Sequence, residues 1–205
     1  FKQKDFVAEM DALAKVSGYE FGKIFFLNWL YEFSTIKACS AILVRNKEGK
    51  VMHGRNLDFE MWGLLSRLLV TIDYYQGKKL VYSVDTVLGS VFALTGIRYG
   101  AFAVNVDTRY GGKPLDMLAR VILSDAVPDC WLVRKVLEEE VTYEGALQRL
   151  QTEKISSPIY FILSGIKPNE GAVIERNPTG VNALYTLNET TWFLVQTNYD
   201  RDEKD

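Results

Sequence analysis

The chain has 205 residues, of which 48% are hydrophobic and 24% charged, a composition typical of a globular chain with one substantial core or two smaller ones. Lys and Arg number 24 against 26 for Asp and Glu, so the formal net charge of -2 gives no broad attraction to nucleic acid or anionic lipid. Two cysteines and one histidine exclude a disulfide framework and argue against a dedicated zinc site.

The first 38 residues carry helical patterns. Residues 4–15 and 19–33 predict two helices, separated by the helix-breaking pair Ser17-Gly18. The second pattern is apolar almost all round, so we expect a helix buried between two layers, with contact to lipid or a lipid-like substrate as the alternative. No apolar run approaches the ~20 residues needed to cross a bilayer. Because the first residue is Phe1 rather than Met, we expect a processed or trimmed chain.

Beyond residue 38 the pattern changes to short apolar runs between turn residues. Residues 40–44 and 51–57 predict a hairpin around a turn at 46–49. The order of strands, then helices, then strands predicts an α+β fold in which helices cover antiparallel sheet. The other predicted strands are 69–75, 80–84, 101–106, 159–163, 172–175, 183–187 and 192–197, and the other predicted helices are 115–123, 129–140 and 143–153.

The first hairpin brings three reactive side chains together. If its turn centres between residues 47 and 48, partners across the hairpin have numbers that sum to about 95. Cys39 then lies opposite Asn56, with Arg55 and Asp58 close by. A permanently charged guanidinium favours the thiolate and can bind a substrate carbonyl or carboxylate. A half-exposed cysteine beside a surface ion pair is the alternative.

Three segments carry a resemblance to a known family. They are Cys39-Ser40-Ala41-Ile42, His53-Gly54-Arg55-Asn56-Leu57-Asp58-Phe59 and Gln196-Thr197-Asn198-Tyr199-Asp200. Together they resemble the acid ceramidase family, which includes N-acylethanolamine acid amidase, and further similar segments extend over most of the chain. The second and third strings are specific in combination, whereas either alone is a weak signal.

The resemblance implies an N-terminal-nucleophile hydrolase with an αββα sandwich of antiparallel sheets covered by helices. Such enzymes cut their own precursor immediately before the nucleophile, which here is the Ala38–Cys39 bond. That cut gives a helical small segment, residues 1–38, and a catalytic segment, residues 39–205, which stay associated. The freed α-amino group, with a typical pKa near ~8, then acts as base toward its own thiol, so the uncut chain is an inactive zymogen.

The family's functional residues correspond to four positions of this sequence. The resemblance implies that Cys39 is the nucleophile that forms a thioester, and that Arg55 stabilises the cysteine and the substrate carbonyl. It implies that Asp58 fixes the freed amino group. Asn198 is implied to donate a hydrogen bond to the oxyanion, a contribution commonly worth ~3 kcal/mol in the transition state. His53 belongs to the same string as Arg55, and we interpret it as a structural strand residue.

Two departures from the family pattern concern the site and the end of the chain. Related enzymes carry a Glu-Arg pair after the middle strand, where this sequence reads Val106-Asp107-Thr108-Arg109. Asp107 is a candidate to replace that glutamate, and a backbone N–H near Thr108 is a candidate oxyanion donor. Family members also continue beyond the Asn-Tyr-Asp string, so the resemblance implies a chain that lacks its C-terminal part.

The implied substrate is an amide between a long acyl chain and an amino alcohol. Residues 59–74 form a loop of the shorter length that we associate with the ethanolamide amidase, so we predict hydrolysis of N-acylethanolamines, with ceramide as the alternative. Trp62 in this loop is a candidate for contact with the acyl chain or for ordinary packing. Two further hypotheses are a relative that opens penicillin V or conjugated bile-salt amides, and a non-catalytic lipid-binding module.

Cofactors, partners and compartment complete the sequence-based expectations. We expect no cofactor, no metal and no nucleic acid partner. The expected partners are the lipid amide substrate, the two chains associated after cleavage, and a peripheral membrane or lipid-vesicle surface. The family implies lipid metabolism in the lysosome or the secretory pathway, and the sequon Asn188-Glu189-Thr190 is compatible with a glycoprotein. Cys130 is expected to be buried as a small apolar residue.

Overall fold

Helices begin the chain, and strands and helices follow in the predicted order. A computed structural model describes residues 3–29, 32, 37–59 and 62–201, with the backbone alone for Lys37, Phe59 and Trp62. The helices are α1 (Lys4–Ser17), α2 (Phe21–Leu27), α3 (Trp62–Leu65), α4 (Pro114–Leu123), α5 (Asp129–Glu139) and α6 (Tyr143–Thr152). The strands are β1 (Lys37–Arg45), β2 (Val51–Phe59), β3 (Leu69–Gln76), β4 (Lys79–Val87), β5 (Thr95–Arg98), β6 (Phe102–Thr108), β7 (Ile159–Gly165), β8 (Gly171–Asn177), β9 (Gly180–Thr186) and β10 (Phe193–Gln196).

The strands form two antiparallel sheets, which confirms the predicted α+β class. The larger sheet has seven strands in the order β3-β4-β5-β6-β7-β8-β9, so each strand pairs with its neighbour in sequence. The smaller sheet has the order β10-β1-β2, which joins the last strand to the first. Residues 41–44 therefore lie beside residues 193–196, although about 150 positions separate them in the sequence.

Side chains of the central strands alternate between two cores. On β7, Ile159, Phe161 and Leu163 belong to the core on the helical side, whereas Tyr160 and Ile162 belong to the core between the two sheets. Because both faces are buried, β7 reads in sequence as a continuous apolar run. The core between the sheets consists of Ala41, Leu43, Tyr160, Ile162, Val173, Leu187 and Leu194.

The helical layer covers the outer face of the seven-stranded sheet. Helix α5 contacts β5 and β6, and α6 contacts β7. Helix α1 packs on α5 through Phe6 and Trp131, whose ring centroids are 5.0 Å apart. Glu9 of α1 also pairs with the buried Arg134 of α5, with Nη1 and Oε2 2.5 Å apart. The N-terminal segment is thus fastened to the helical layer by both apolar and charged contacts.

The second predicted helix differs from the structure in length and burial. Helix α2 ends at Leu27, and residues 30, 31 and 33 of the predicted helix lie outside the described part of the chain. Asn28 ends the helix with its side chain turned to another segment, since its amide accepts from the Val91 N–H at 2.6 Å and donates to the Gly89 carbonyl at 3.1 Å. The prediction of a helix buried between two layers is wrong, because Ile24 is the buried residue of α2 and Phe26 is 58% exposed.

Strand β5 is an element that the sequence patterns missed. Its four residues are too few to show alternation, and Gly96 lowers the strand propensity of the run. The structure gives the reason for this glycine, because an added Cβ would overlap the Leu137 side chain of α5 and would lie 3.0 Å from the Ser83 carbonyl oxygen. Helix α5 therefore approaches the sheet closely at this position.

Cys130 is buried in the helical-side core, which confirms that prediction. Thr142 caps the N-terminus of α6, accepting a hydrogen bond of 3.1 Å from the Gly145 N–H. Among the described residues, no helix is both long and apolar enough to span a bilayer.

Candidate active site

The hairpin of β1 and β2 is shifted by one residue from its predicted register. Cys39 lies opposite Leu57, not opposite Asn56. The turn contains Gly49 at a φ of 83°, in the left-handed region that glycine adopts readily, and this lengthens the connection by one residue. Because side chains alternate between faces, a shift of one residue exchanges the faces on which the partners lie.

This register puts Arg55 on the same face as Cys39 and Asp58 on the other. Arg55 lies opposite Ala41, the second residue after Cys39, and both face the seven-stranded sheet. Asp58 lies opposite Ala38 and is exposed, and its Oδ2 accepts a hydrogen bond of 2.9 Å from Asn56 Nδ2. The structure therefore brings Arg55 to the cysteine side of the sheet but leaves Asp58 beside the residue that precedes the cysteine.

Asn198 connects the cysteine to the end of β6. Its Oδ1 accepts a hydrogen bond of 2.7 Å from the backbone N–H of Cys39. Its Nδ2 donates a hydrogen bond of 2.7 Å to the carbonyl oxygen of Thr108. A side-chain amide has two N–H donors, so one of them remains for another acceptor. Three of the predicted site residues thus meet at one point.

Asp107 is a buried carboxyl between the two sheets. Its Oδ1 accepts a hydrogen bond of 2.9 Å from Asn105 Nδ2, and its Oδ2 has no hydrogen-bond partner among the described residues. Arg55 reaches the same strand, donating from Nη2 to the Val106 carbonyl oxygen at 2.8 Å. Burial raises the pKa of Asp107 to about 7, although Arg55 and Asn105 both favour the carboxylate.

The surroundings of Cys39 keep its sulfur in the thiol form. Cys39 is buried, and burial raises the pKa of the thiol above its ordinary value, with a further increase from Asp107. Arg55, the backbone of Thr108 and the side chain of Asn198 lower the pKa of the thiol, but by less than burial and Asp107 raise it. A nucleophile in this environment needs an additional base before it can react.

His53 lies in the same polar layer. Its Nε2 is 2.7 Å from Asn105 Oδ1, and its Nδ1 is 2.9 Å from Ser164 Oγ. Because Asn105 donates to Asp107 through Nδ2, its Oδ1 is an acceptor, so His53 carries a hydrogen on Nε2 and accepts from Ser164 at Nδ1. Burial lowers the pKa of His53 and keeps the ring neutral. These contacts give the predicted structural histidine a defined partner on each side.

Sequence reasoning missed Asn105 and Ser164, although a signal was present. Both are polar residues inside otherwise apolar strands, and both are buried. A buried polar side chain without a partner is costly, so such positions indicate a hydrogen-bond network. The network could not be assigned from sequence because its members come from β2, β6 and β7.

A cavity of about 270 Å³ reaches Arg55 from the site, and its lining is mixed, with His53, Thr71, Ser83 and Tyr99 as polar members and Ile97 and Val104 as apolar ones. The side chain of Trp62, predicted as a contact for the acyl chain, lies outside the described part of the structure. Within the described ranges, no three His, Cys, Asp or Glu side chains are grouped to hold a metal ion.

Curated relatives of this chain are amide hydrolases by name. It is 34% identical to N-acylethanolamine-hydrolyzing acid amidase from Caenorhabditis elegans over 206 residues, which are 96% of this chain and 58% of that protein. It is 35% identical to acid ceramidase from Bos taurus over 214 residues, which are 96% of this chain and 54% of that protein. The chain therefore spans little more than half the length of these relatives. No protein-family model matches it.

Two solved structures resemble the fold. The Caenorhabditis elegans N-acylethanolamine-hydrolyzing acid amidase ortholog superposes with a TM-score of 0.70 at 34% identity, covering 80% of this chain and 71% of that structure. A conjugated bile acid hydrolase mutant from Clostridium perfringens superposes with a TM-score of 0.52 at 15% identity, covering 80% and 54%. At that identity, the second likeness concerns the fold alone. Both confirm the fold class that the resemblance implied.

Proposed function

Because this chain belongs to the family of acid ceramidase and N-acylethanolamine-hydrolyzing acid amidase, we propose that it hydrolyses the amide bond of fatty-acid ethanolamides to free fatty acid and amine. The observation that supports this most directly is the contact of Cys39 with Asn198, which also binds the Thr108 carbonyl beside the buried Asp107. A thiol, an amide donor and a nearby guanidinium are the groups that acyl transfer requires.

The proposed reaction begins with cleavage of the chain itself before Cys39. The thiol adds to the carbonyl carbon of Ala38, the C–N bond breaks, and the thiol proton passes to the departing nitrogen. This leaves a thioester between the two residues and a free α-amine on Cys39. Water then hydrolyses the thioester to the Ala38 carboxylate and the free thiol. The raised pKa of the buried thiol supports the view that the uncut chain is inactive.

Asp58 fits the role of holding the new amine. It lies opposite Ala38, the residue whose bond to Cys39 is cut, so its backbone is next to the peptide unit from which the amine forms. Asp58 is exposed, so its side chain is accessible to a new partner. After cleavage the ammonium or amine of Cys39 becomes a hydrogen-bond donor that the uncut chain does not have.

Substrate hydrolysis follows the same chemistry on an external amide. The Cys39 thiol passes its proton to its own amine, and the thiolate attacks the amide carbonyl. The second N–H of Asn198 donates to the oxyanion, and the Arg55 guanidinium stabilises the developing negative charge. The leaving amine takes the proton, and water releases the fatty acid from the thioester.

The two segments of the cleaved chain would stay together. Phe6 packs against Trp131, and Glu9 pairs with Arg134, so residues 1–38 remain attached to residues 39–205 through contacts that the cut does not touch. Met10, fully buried, adds to the same core. Separation would expose this apolar surface to water.

Ceramide is the second candidate substrate. Acid ceramidase from Bos taurus is as similar to this chain as the ethanolamide amidase, at 35% against 34% identity. Both substrates carry a hydroxyl near the amide nitrogen, and the cavity beside Arg55 offers such a group polar partners in Thr71 and Ser83. Asn188 of the sequon is exposed, which supports passage through the secretory pathway to an acidic, lysosomal compartment.

Mass spectrometry after incubation at acidic pH tests the proposal. The wild-type chain should give two fragments that meet between Ala38 and Cys39, and Cys39→Ala should stay whole. Cys130→Ala is the matched control, since it removes the other cysteine from the core and should be cleaved normally. Release of fatty acid from N-palmitoylethanolamine but not from ceramide supports the ethanolamide assignment, and the reverse favours ceramidase activity. A chain that stays whole and binds fatty amides without hydrolysis is a lipid-binding module, which contradicts the proposal.

A further inference from the structure

Asn198 lies in a segment that has no strand of its own. Strand β10 ends at Gln196, and residues 197–200 continue without regular backbone pairing. Its acceptor Thr108 is the last residue of β6. A side chain on an irregular segment keeps a fixed orientation only if other contacts hold that segment in place.

Arg109 and Asp200 supply such a contact. The Arg109 Nε donates to Asp200 Oδ1 at 2.6 Å, and Nη2 donates to Asp200 Oδ2 at 2.5 Å. This is a bidentate pair, which has a more defined geometry than a single hydrogen bond. The Arg109 side chain is 12% exposed and that of Asp200 is 23% exposed, so water competes little with the pair.

Side chains of β7 and β8, two interior strands of the seven-stranded sheet, bind the Arg109–Asp200 pair. The Tyr160 hydroxyl of β7 donates to Asp200 Oδ1 at 2.5 Å. On β8, Asn177 Oδ1 accepts from Arg109 Nη1 at 2.6 Å, and Glu175 Oε1 lies 3.2 Å from Arg109 Nη2. Tyr160 of β7 thus holds Asp200, Asn177 and Glu175 of β8 hold Arg109, and both strands are paired on both sides.

Two links now join the same two segments. Asn198 donates to the Thr108 carbonyl, and Asp200, two residues further along, binds Arg109, the neighbour of Thr108. The first link involves the side-chain amide of the site itself. The second joins Arg109, the residue that follows Thr108, to Asp200. With both links formed, the segment can neither rotate nor slide along β6 without breaking charged hydrogen bonds.

We propose that Arg109 and Asp200 are positioning residues that set the Asn198 amide against Cys39 and Thr108, with Tyr160 as their anchor. This inference rests on the proposed function, in which Asn198 is the oxyanion donor. The hydrogen bonds of Arg109 and Asp200 are with each other and with residues of β7 and β8, not with Cys39.

The charge state of the pair is suited to an acidic compartment. The hydrogen bonds from Arg109 lower the pKa of Asp200 to about 2, so the carboxylate stays ionised in moderately acidic solution. Glu175, the other acid beside Arg109, has a raised pKa because of its burial and the neighbouring Asp200. A proton taken up at this cluster therefore goes to Glu175 before Asp200, and the bidentate pair is preserved.

Asp200→Asn and Arg109→Lys test the proposal in the full chain. Each keeps the size of the side chain but removes the bidentate geometry, and we expect kcat on N-palmitoylethanolamine to fall about 10-fold to 100-fold with little change in KM. Tyr160→Phe should give a smaller loss. Glu139→Gln is the matched control. It removes the ion pair in which Glu139 Oε2 lies 2.5 Å from Arg149 Nη1, and neither residue belongs to the site. This variant should leave kcat unchanged.

A double-mutant cycle distinguishes positioning from general stability. If Asp200 acts through Asn198, Asp200→Asn should cost little further activity in an Asn198→Ala background. An equal loss in both backgrounds, or a loss that simply follows a lowered melting temperature, overturns the proposal.

The second readout requires no activity. The side-chain amide resonances of Asn198 should shift or broaden in Asp200→Asn and stay in place in Glu139→Gln. If the wild type neither cleaves itself nor hydrolyses amides, the proposed function fails, and these resonances still decide whether Asp200 positions Asn198. Unchanged Asn198 resonances in Asp200→Asn contradict the inference.

Discussion

The backbone N–H of Cys39 donates a hydrogen bond of 2.7 Å to the side chain of Asn198, which lies 159 residues further along the chain. This N–H belongs to the peptide bond that the proposed self-cleavage breaks. The same nitrogen can keep Asn198 Oδ1 as its acceptor after it becomes an amine. Asn198 therefore contacts the site both before and after the cut.

Asn198→Ala should abolish the donor to the oxyanion. We expect kcat to fall by about 10²- to 10³-fold, the usual effect of losing one such donor. Asn198→Asp should be similarly impaired, since it keeps the acceptor for the Cys39 N–H but loses the donor. Steady-state release of fatty acid measures the effect. Asn188→Ala in unglycosylated protein is the control on an exposed loop, and a comparable loss there would contradict a specific role for Asn198.

Arg55→Gln should make the cysteine less reactive. Arg55 is the charged group that favours the thiolate of Cys39, so its removal should raise the pKa of the thiol further. We expect kcat/KM to fall at least about tenfold. The pH dependence of Cys39 alkylation by iodoacetamide, measured in cleaved Cys130→Ala protein, should move to higher pH. Arg67→Gln, at an exposed arginine, should not move it. An alkylation profile unaffected by Arg55→Gln would rule out this electrostatic role.

Asp107→Asn should change how stability depends on pH. The folded-state pKa of Asp107 is about 7, against an ordinary value of 3.8, so the folded protein binds a proton more tightly than the unfolded chain. The cost of burying the carboxylate is therefore fully present above pH 7 and disappears as the pH falls toward 4. By this linkage the cost is on the order of 4 kcal/mol.

Urea denaturation at about pH 8 and about pH 5 measures this effect. Asp107→Asn should be more stable than the wild type at the higher pH, and the difference should shrink or vanish at the lower pH. Asp116→Asn, at an exposed position of α4, is the control and should show no such trend. A difference that is equal at both pH values would show that Asp107 is not the group responsible.

Gly96→Ala should destabilise the fold. The added methyl would overlap Leu137 of α5, so the helix would have to move away from β5. We expect a loss of about 1–3 kcal/mol in the free energy of unfolding. Gly22→Ala is the matched control, because nothing lies within 4 Å of its added Cβ and the helix should gain slightly. Leu137→Ala combined with Gly96→Ala should cost less than the sum of the two single changes, and strict additivity would exclude the overlap as the cause.

The order and type of most elements follow from the sequence alone. Helices α1, α4, α5 and α6 and nine of the ten strands arise at predicted positions, because the spacing of apolar residues is a local property of the chain. The motif strings that identify the family are likewise local. The predicted α+β class also follows from the sequence, since it depends on element order, whereas the αββα sandwich was implied by the resemblance to the family.

Only the tertiary structure decided which side chains meet. The positive φ of Gly49 shifts the hairpin by one residue, which aligns Arg55 with the face of Cys39 and turns Asp58 to the solvent side. The pairing of Asn198 with Cys39, and of Arg109 with Asp200, depends on β10 lying beside β1 and on the distance between two sheets. Such contacts join residues far apart in sequence, so no local pattern encodes their distances. The residue types indicated the chemistry of the site. The distances between its side chains are fixed only when the sheets and helices pack together.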